Sequence, residues 1–139
     1  MDQIVLDTSV IAKLFLEEEW SDIAIKIKDA HVQGKIEIAA PSLAKYELIN
    51  ALKYKNFGKE EIKDALEVIR DYAFLIVEPS DLVINKTADF SIDYGITAYD
   101  ATYVAFANQL GKTLYTADNK MLLRVKKLNF IKHLTSFSL

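Results

Sequence analysis

Residues 4–9, Ile4-Val5-Leu6-Asp7-Thr8-Ser9, are an apolar run that ends abruptly in a carboxylate followed by two hydroxyl side chains. The run predicts a buried strand over residues 3–7. An aspartate at the carboxyl end of such a strand faces the crevice where open α/β sheets place their ligands. Asp7, Thr8 and Ser9 also suit the cap of a following helix, so the motif is ambiguous when taken alone.

The pattern downstream repeats the strand-then-helix theme. A short apolar helix is predicted over Val10–Leu16, then a helix capped by Ser21 and running to about Gln33, stopped by Gly34. Ile36–Ala39 resembles a second strand, and Pro41 suits the first turn of a helix reaching about Asn56. Ile62, Ala65, Leu66, Ile69 and Ala73 follow helical spacing, Phe74–Val77 a strand, and Ser80–Tyr94 a helix ended by Gly95. A mostly apolar helix over residues 99–110 is closed by Gly111. A strand at Thr113–Thr116, a basic helix at Lys120–Leu128 and a strand at Phe130–His133 complete the series. Alternating strands and helices imply an α/β fold with a central, mostly parallel sheet of four to five strands and helices on both faces.

A length of 139 residues, 51% of them hydrophobic and 27% charged, suits one core and a single domain over residues 1–139. The absence of cysteine excludes disulfides, thiolate zinc sites and cysteine nucleophiles. No apolar run reaches the length of about 18 residues that a membrane helix needs, and no leader-like start is present, so a soluble cytoplasmic protein is expected. A net charge of −3 offers no general attraction to nucleic acid, but an acidic site that recruits cations would itself lower that count.

Three further acids recur in positions like that of Asp7. Asp100 is the single charge between Ala98 and Leu110, costly on an apolar helix unless paired or metal-bound, although a helix start also favours an acid. Asp118 follows the strand around Leu114-Tyr115, where a turn role is equally natural. Glu47 lies at the margin of its helix's apolar stripe and suits either solvent or a cleft. In a parallel sheet these positions can share one edge. Carboxylates gathered there repel one another, and hard divalent cations such as Mg²⁺ or Mn²⁺ relieve the repulsion. No histidine lies near any of the four in sequence, which disfavours zinc. Local chemistry thus reaches a divalent cation and a phosphate, the arrangement used in phosphodiester hydrolysis.

Four segments carry a family resemblance: Val5-Leu6-Asp7-Thr8-Ser9; Pro41 to Leu52, including Tyr46-Glu47-Leu48; Ala98-Tyr99-Asp100-Ala101-Thr102-Tyr103-Val104-Ala105; and Leu114-Tyr115-Thr116-Ala117-Asp118. In order and spacing the chain resembles PIN-domain proteins of the VapC-like toxin type over essentially its whole length. The resemblance implies a three-layer PIN-like fold and a metal-dependent endoribonuclease, the toxin of a type II toxin–antitoxin pair. Asp7, Glu47, Asp100 and Asp118 would be its catalytic and metal-binding acids, with Thr8, Ser9 and Thr116 as supporting polar or phosphate contacts. It further implies Mg²⁺ or Mn²⁺, an RNA substrate, a homodimer and a cognate antitoxin that covers the acidic cleft with a basic or helical segment.

Lys120, Arg124, Lys126 and Lys127 form the one basic concentration, readable as a solvated face or as an RNA-gathering patch. Lys13 and Lys45 are further candidates. Glu17, Glu18 and Glu19 read as a solvated helix end, Asp89 and Asp93 as surface acids, and Trp20 as a hydrophobic staple. His31 and His133 stand apart from the acidic motifs in sequence. Two rivals remain at this level. One is a non-catalytic PIN-like module that binds RNA or protein. The other is an aspartyl-phosphate phosphatase using Asp7 as nucleophile, for which Ser9 stands where a second aspartate is expected.

Overall fold

The computed structural model describes residues 2–139. Five strands, β1 (Asp2–Leu6), β2 (Ile36–Pro41), β3 (Leu75–Val77), β4 (Leu114–Thr116) and β5 (Ile131–His133), form one sheet in the order β3-β2-β1-β4-β5. Every pairing is parallel, so the sheet is wholly rather than mostly parallel. Ile4, Val5 and Leu6 are all buried although successive side chains point to opposite faces. Both faces of β1 are therefore covered, as a parallel sheet requires.

The covering helices are α1 (Thr8–Ile11), α2 (Ser21–Val32), α3 (Leu43–Tyr54), α4 (Lys59–Tyr72), α5 (Asp81–Tyr94), α6 (Ala98–Leu110) and α7 (Asn119–Arg124). Helix α6 packs across β1, β2 and β4 and pairs along its length with α5. Its run from Ala101 to Ala107 is buried without interruption, which accounts for its nearly charge-free sequence. Among the described residues no helix is long and apolar enough to cross a membrane.

Several local expectations shift. The segment after Asp7 is not one helix over Val10–Leu16 but a single α-turn, Thr8–Ile11, followed by a 3-10 turn, Ala12–Leu14. Pro41 ends β2 instead of opening α3. Amides alternate sides along a strand, and that of Ser42 donates to the Val77 carbonyl of β3 at 2.9 Å. The amide of residue 41 would face β1, whose paired register with β2 ends at Val5↔Ala39. Proline thus stands where no acceptor awaits a donor. Ser21 does not cap α2. It begins that helix, and its hydroxyl donates to Leu16 and accepts from the Glu18 amide, closing the preceding turn. Trp20 takes the cap position in a left-handed conformation, φ 67°. The basic helix α7 stops at Arg124, leaving Lys126 and Lys127 beyond it.

Candidate active site

The strand order reverses direction between β1 and β4, and both strands end in an acid at the same edge of the sheet. Asp7 leaves β1 with its amide donating to the Tyr115 carbonyl of β4 at 3.3 Å, while its own carbonyl accepts from Val10 and Ile11. The backbone is thereby fixed on both sides. The Asp7 side chain occupies the cap position of α1 but makes no capping hydrogen bond. It accepts instead from the Ser9 hydroxyl. Ser9 Oγ in turn accepts from the Ala117 amide at 2.8 Å and lies 3.3 Å from Thr116 Oγ1, so two hydroxyls tie Asp7 to the end of β4.

Asp118 keeps the structural role that its turn sequence suggested. Its Oδ1 caps α7, accepting from the amides of Lys120 at 3.0 Å and Met121 at 3.1 Å, while its own amide donates to Thr116 Oγ1. Asp100 lies in the first turn of α6, whose cap is Thr97. Glu47 projects from α3, and its Oε1 accepts from Tyr103 Oη of α6 at 2.6 Å and lies 3.3 Å from Thr8 Oγ1. Tyr103 is the member of this constellation that sequence reading missed. Its helical spacing marks it as core, and it is core, 1% exposed, but its hydroxyl lies at the site.

The electrostatics show that the acids share one field. Burial pushes the Asp7 carboxyl up to about 7, with Asp100 adding to the rise and the Ser9 and Thr116 hydroxyls opposing it. Asp100 is raised by its own burial and then by the charges of Asp118 and Glu47. Burial and Glu47 hold the Tyr103 phenol well above its usual range, so it stays a neutral donor. Among the described residues none of the four acids takes part in an ion pair, although Asp7 is only 5% exposed. A buried carboxylate without a countercharge is an expensive feature to keep.

The donor set is carboxylate and hydroxyl oxygen, which fits a hard divalent cation and not zinc. No three acidic or histidine side chains among the described residues converge tightly enough to hold an ion jointly. Asp7, Asp118 and Glu47 are each drawn to a protein donor by the contacts above. The fit to a cation therefore lies in donor chemistry and uncompensated charge rather than in a finished ligand shell.

Two grooves flank the acids. One of about 240 Å³ carries Asp100 and Asp118 together with Lys120 and Arg124. Arg124 reaches the Gly95 carbonyl at 3.4 Å, and a Cβ on Gly95 would stand 3.0 Å from its guanidinium. The other, about 340 Å³, is bordered by Thr8, Ser9, Lys13 and Tyr54. Lys13 is buried there and pairs with Glu18 at 2.9 Å, while Lys45 is exposed. His133 lies at the same sheet edge, in register with Thr116, despite its distance in sequence from the acids. Its ring packs edge-on against Trp20 at 4.3 Å, and Nδ1 accepts from the Thr135 amide. His31 bridges the Tyr72 carbonyl and the Ile38 amide, and Asp89 and Asp93 are exposed.

The family model for the PIN domain matches residues 4–128, a span that includes all four acids. The chain belongs to the PIN-domain family. Among PIN-domain relatives, it is 32% identical over 124 residues to Ribonuclease VapC3 of Pyrobaculum aerophilum, covering 86% of this chain and 92% of that one. Two solved structures show the same fold. VapBC2 from Rickettsia felis, bound to a DNA fragment from its promoter, superposes with a TM-score of 0.73 at 17% identity, over 94% of this chain and 98% of that one. VapC20 from Mycobacterium tuberculosis, a sarcin-ricin loop cleaving toxin, gives a TM-score of 0.68 at 14% identity, over 86% and 93%.

Proposed function

We propose that this PIN-domain protein is a metal-dependent endoribonuclease that hydrolyses RNA phosphodiester bonds and acts as the toxin of a type II toxin–antitoxin pair. The observation that carries the reading is the set of four acids around the β1/β4 switch point, none of them in an ion pair among the described residues and the first of them buried. The name Ribonuclease VapC3 of a relative with 32% identity supports the choice of RNA as substrate. The VapBC2 neighbour supports an antitoxin as partner.

Asp7, Glu47, Asp100 and Asp118 would hold one or two Mg²⁺ or Mn²⁺ ions. A cation bound there supplies charge neutralisation for the scissile phosphate and acidifies a coordinated water. The chain's own residues prepare that site. Ser9 and Thr116 hold Asp7 by hydrogen bonds that favour its charged form. Asp118 commits Oδ1 to its helix, which leaves Oδ2 for the cleft. Lys120 and Arg124 share a groove with Asp100 and Asp118 and would take phosphates beside the cut bond, and Lys126 and Lys127, exposed past the end of α7, would add weaker contacts.

An antitoxin segment that offers basic side chains would neutralise the same acids. The homodimer belongs to this reading as well. Ile84, Ala88 and Ile92, four residues apart on α5 and all exposed, supply an apolar stripe for it, and sedimentation of the purified protein tests that part. The function itself is tested by Mn²⁺-dependent cleavage of total cellular RNA, wild type against Asp7→Asn, with the cut ends sequenced. Cleavage by wild type alone is the expected result. Equal cleavage by Asp7→Asn would sink the assignment.

A further inference from the structure

We propose that Tyr103 is a positioning residue for Glu47, holding one carboxylate oxygen by its hydroxyl so that the other stays free for a cation in the cleft. The proposal rests on the metal-dependent reading above and extends it to a residue outside the acid set.

Three side chains from three helices meet at this point. Tyr103 Oη lies 2.6 Å from Glu47 Oε1 and 2.6 Å from Thr8 Oγ1. An ionised carboxylate only accepts, and a phenol has one proton to give. The proton of Tyr103 therefore points to Glu47, and the Thr8 hydroxyl donates to the phenol oxygen. The result is a directed chain from Thr8 through Tyr103 to Glu47. No protein donor reaches Glu47 Oε2 among the described residues.

Burial makes the anchor rigid. Tyr103 is almost wholly inside the core, whereas Glu47 is only half-buried, on a side chain with three rotatable bonds. Without the phenol, Glu47 would sample rotamers that lead away from the acids, and binding a cation would have to order it. Tyr103 also lies one helical turn beyond Asp100 on α6, so the same hydrogen bond sets the helix bearing Asp100 against the helix bearing Glu47. Donors that orient metal-binding carboxylates commonly change affinity by about 10–100-fold when removed.

The test is Tyr103→Phe, which removes one oxygen and no carbon. Mn²⁺ affinity is read by calorimetry on the folded variant, and cleavage rate is read across a Mn²⁺ titration. The expected result is Mn²⁺ binding weakened by about 10-fold or more, with cleavage recovering toward the wild-type rate at saturating Mn²⁺. In a Glu47→Ala background the same substitution should leave Mn²⁺ affinity unchanged. Unchanged affinity in Tyr103→Phe, even with a lowered melting temperature, would overturn the proposal and make the tyrosine purely structural. So would an equal loss in the Glu47→Ala background. Wild-type protein that binds Mn²⁺ but cuts no RNA would refute the ribonuclease reading alone, because the calorimetric comparison still decides Tyr103.

Discussion

The Ala117 amide, just past β4, donates to Ser9 Oγ at 2.8 Å, and the Ser9 hydroxyl gives its own proton to the Asp7 carboxylate. One side chain thus joins the ends of the two strands that flank the switch point. Ser9→Ala leaves the Ala117 amide unsatisfied and removes a donor from Asp7. The expected cost is about 1–2 kcal/mol of stability, measured by urea unfolding, together with reduced cleavage.

Asp7 makes stability depend on pH in a defined direction. Its folded value of about 7 lies above the ordinary unfolded value, so from about pH 4 to 7 the native state holds a proton that the unfolded state has lost. This contribution is complete below the unfolded value and is lost as pH rises through the folded one. Asp100 is shifted the same way. In EDTA, wild-type protein should be less stable at pH 8 than at pH 5. Asp7→Asn should remove much of that fall and gain on the order of 3 kcal/mol at pH 8, while losing cleavage. Urea titrations at the two pH values check the sign.

A divalent cation should reverse the same penalty. Mn²⁺ at 100 times its dissociation constant adds about 2.7 kcal/mol, which raises the melting temperature by roughly 5–10 °C. The shift should be larger at pH 8 than at pH 5, where protons compete for Asp7, and smaller in Asp100→Asn. Thermal melts with Mn²⁺ and with EDTA provide the comparison.

Asp118 combines a cap with a charge, and two substitutions separate them. Asp118→Asn keeps an oxygen for the Lys120 and Met121 amides, so stability should change by less than about 0.5 kcal/mol. Asp118→Ala loses the cap and should cost about 1 kcal/mol. Both should lose cleavage. If Asp118→Asn cleaves like wild type, the carboxylate serves only the helix.

The basic groove predicts a graded effect on RNA. Lys120→Ala with Arg124→Ala should raise KM and reduce the salt dependence of binding by about two phosphate contacts, with kcat less affected. Lys126→Ala with Lys127→Ala should do less, because those residues lie past the end of α7. Filter binding across a salt series measures both slopes.

Much of this was legible locally. The apolar run before Asp7 and the helix stops at Gly95 and Gly111, with φ 63° and 66°, need only their neighbours in sequence. The acids stood out because they interrupt apolar patterns. Pro41 was misplaced because its fit depends on where β1 ceases to pair, a fact about another strand. Tyr103 was hidden because a buried aromatic and a buried aromatic with a working hydroxyl share one helical pattern.

The sequence by itself determined an α/β chain with acids at strand and helix ends and, through its resemblance, a family. Only the tertiary structure decided that β1 lies beside β4, so that Asp7 and Ser9 meet Thr116 at one edge of the sheet. It also decided that Glu47 is held from the core by Tyr103. Strand order and burial are set by packing over the whole chain, whereas caps and hydrophobic period are set within a few residues.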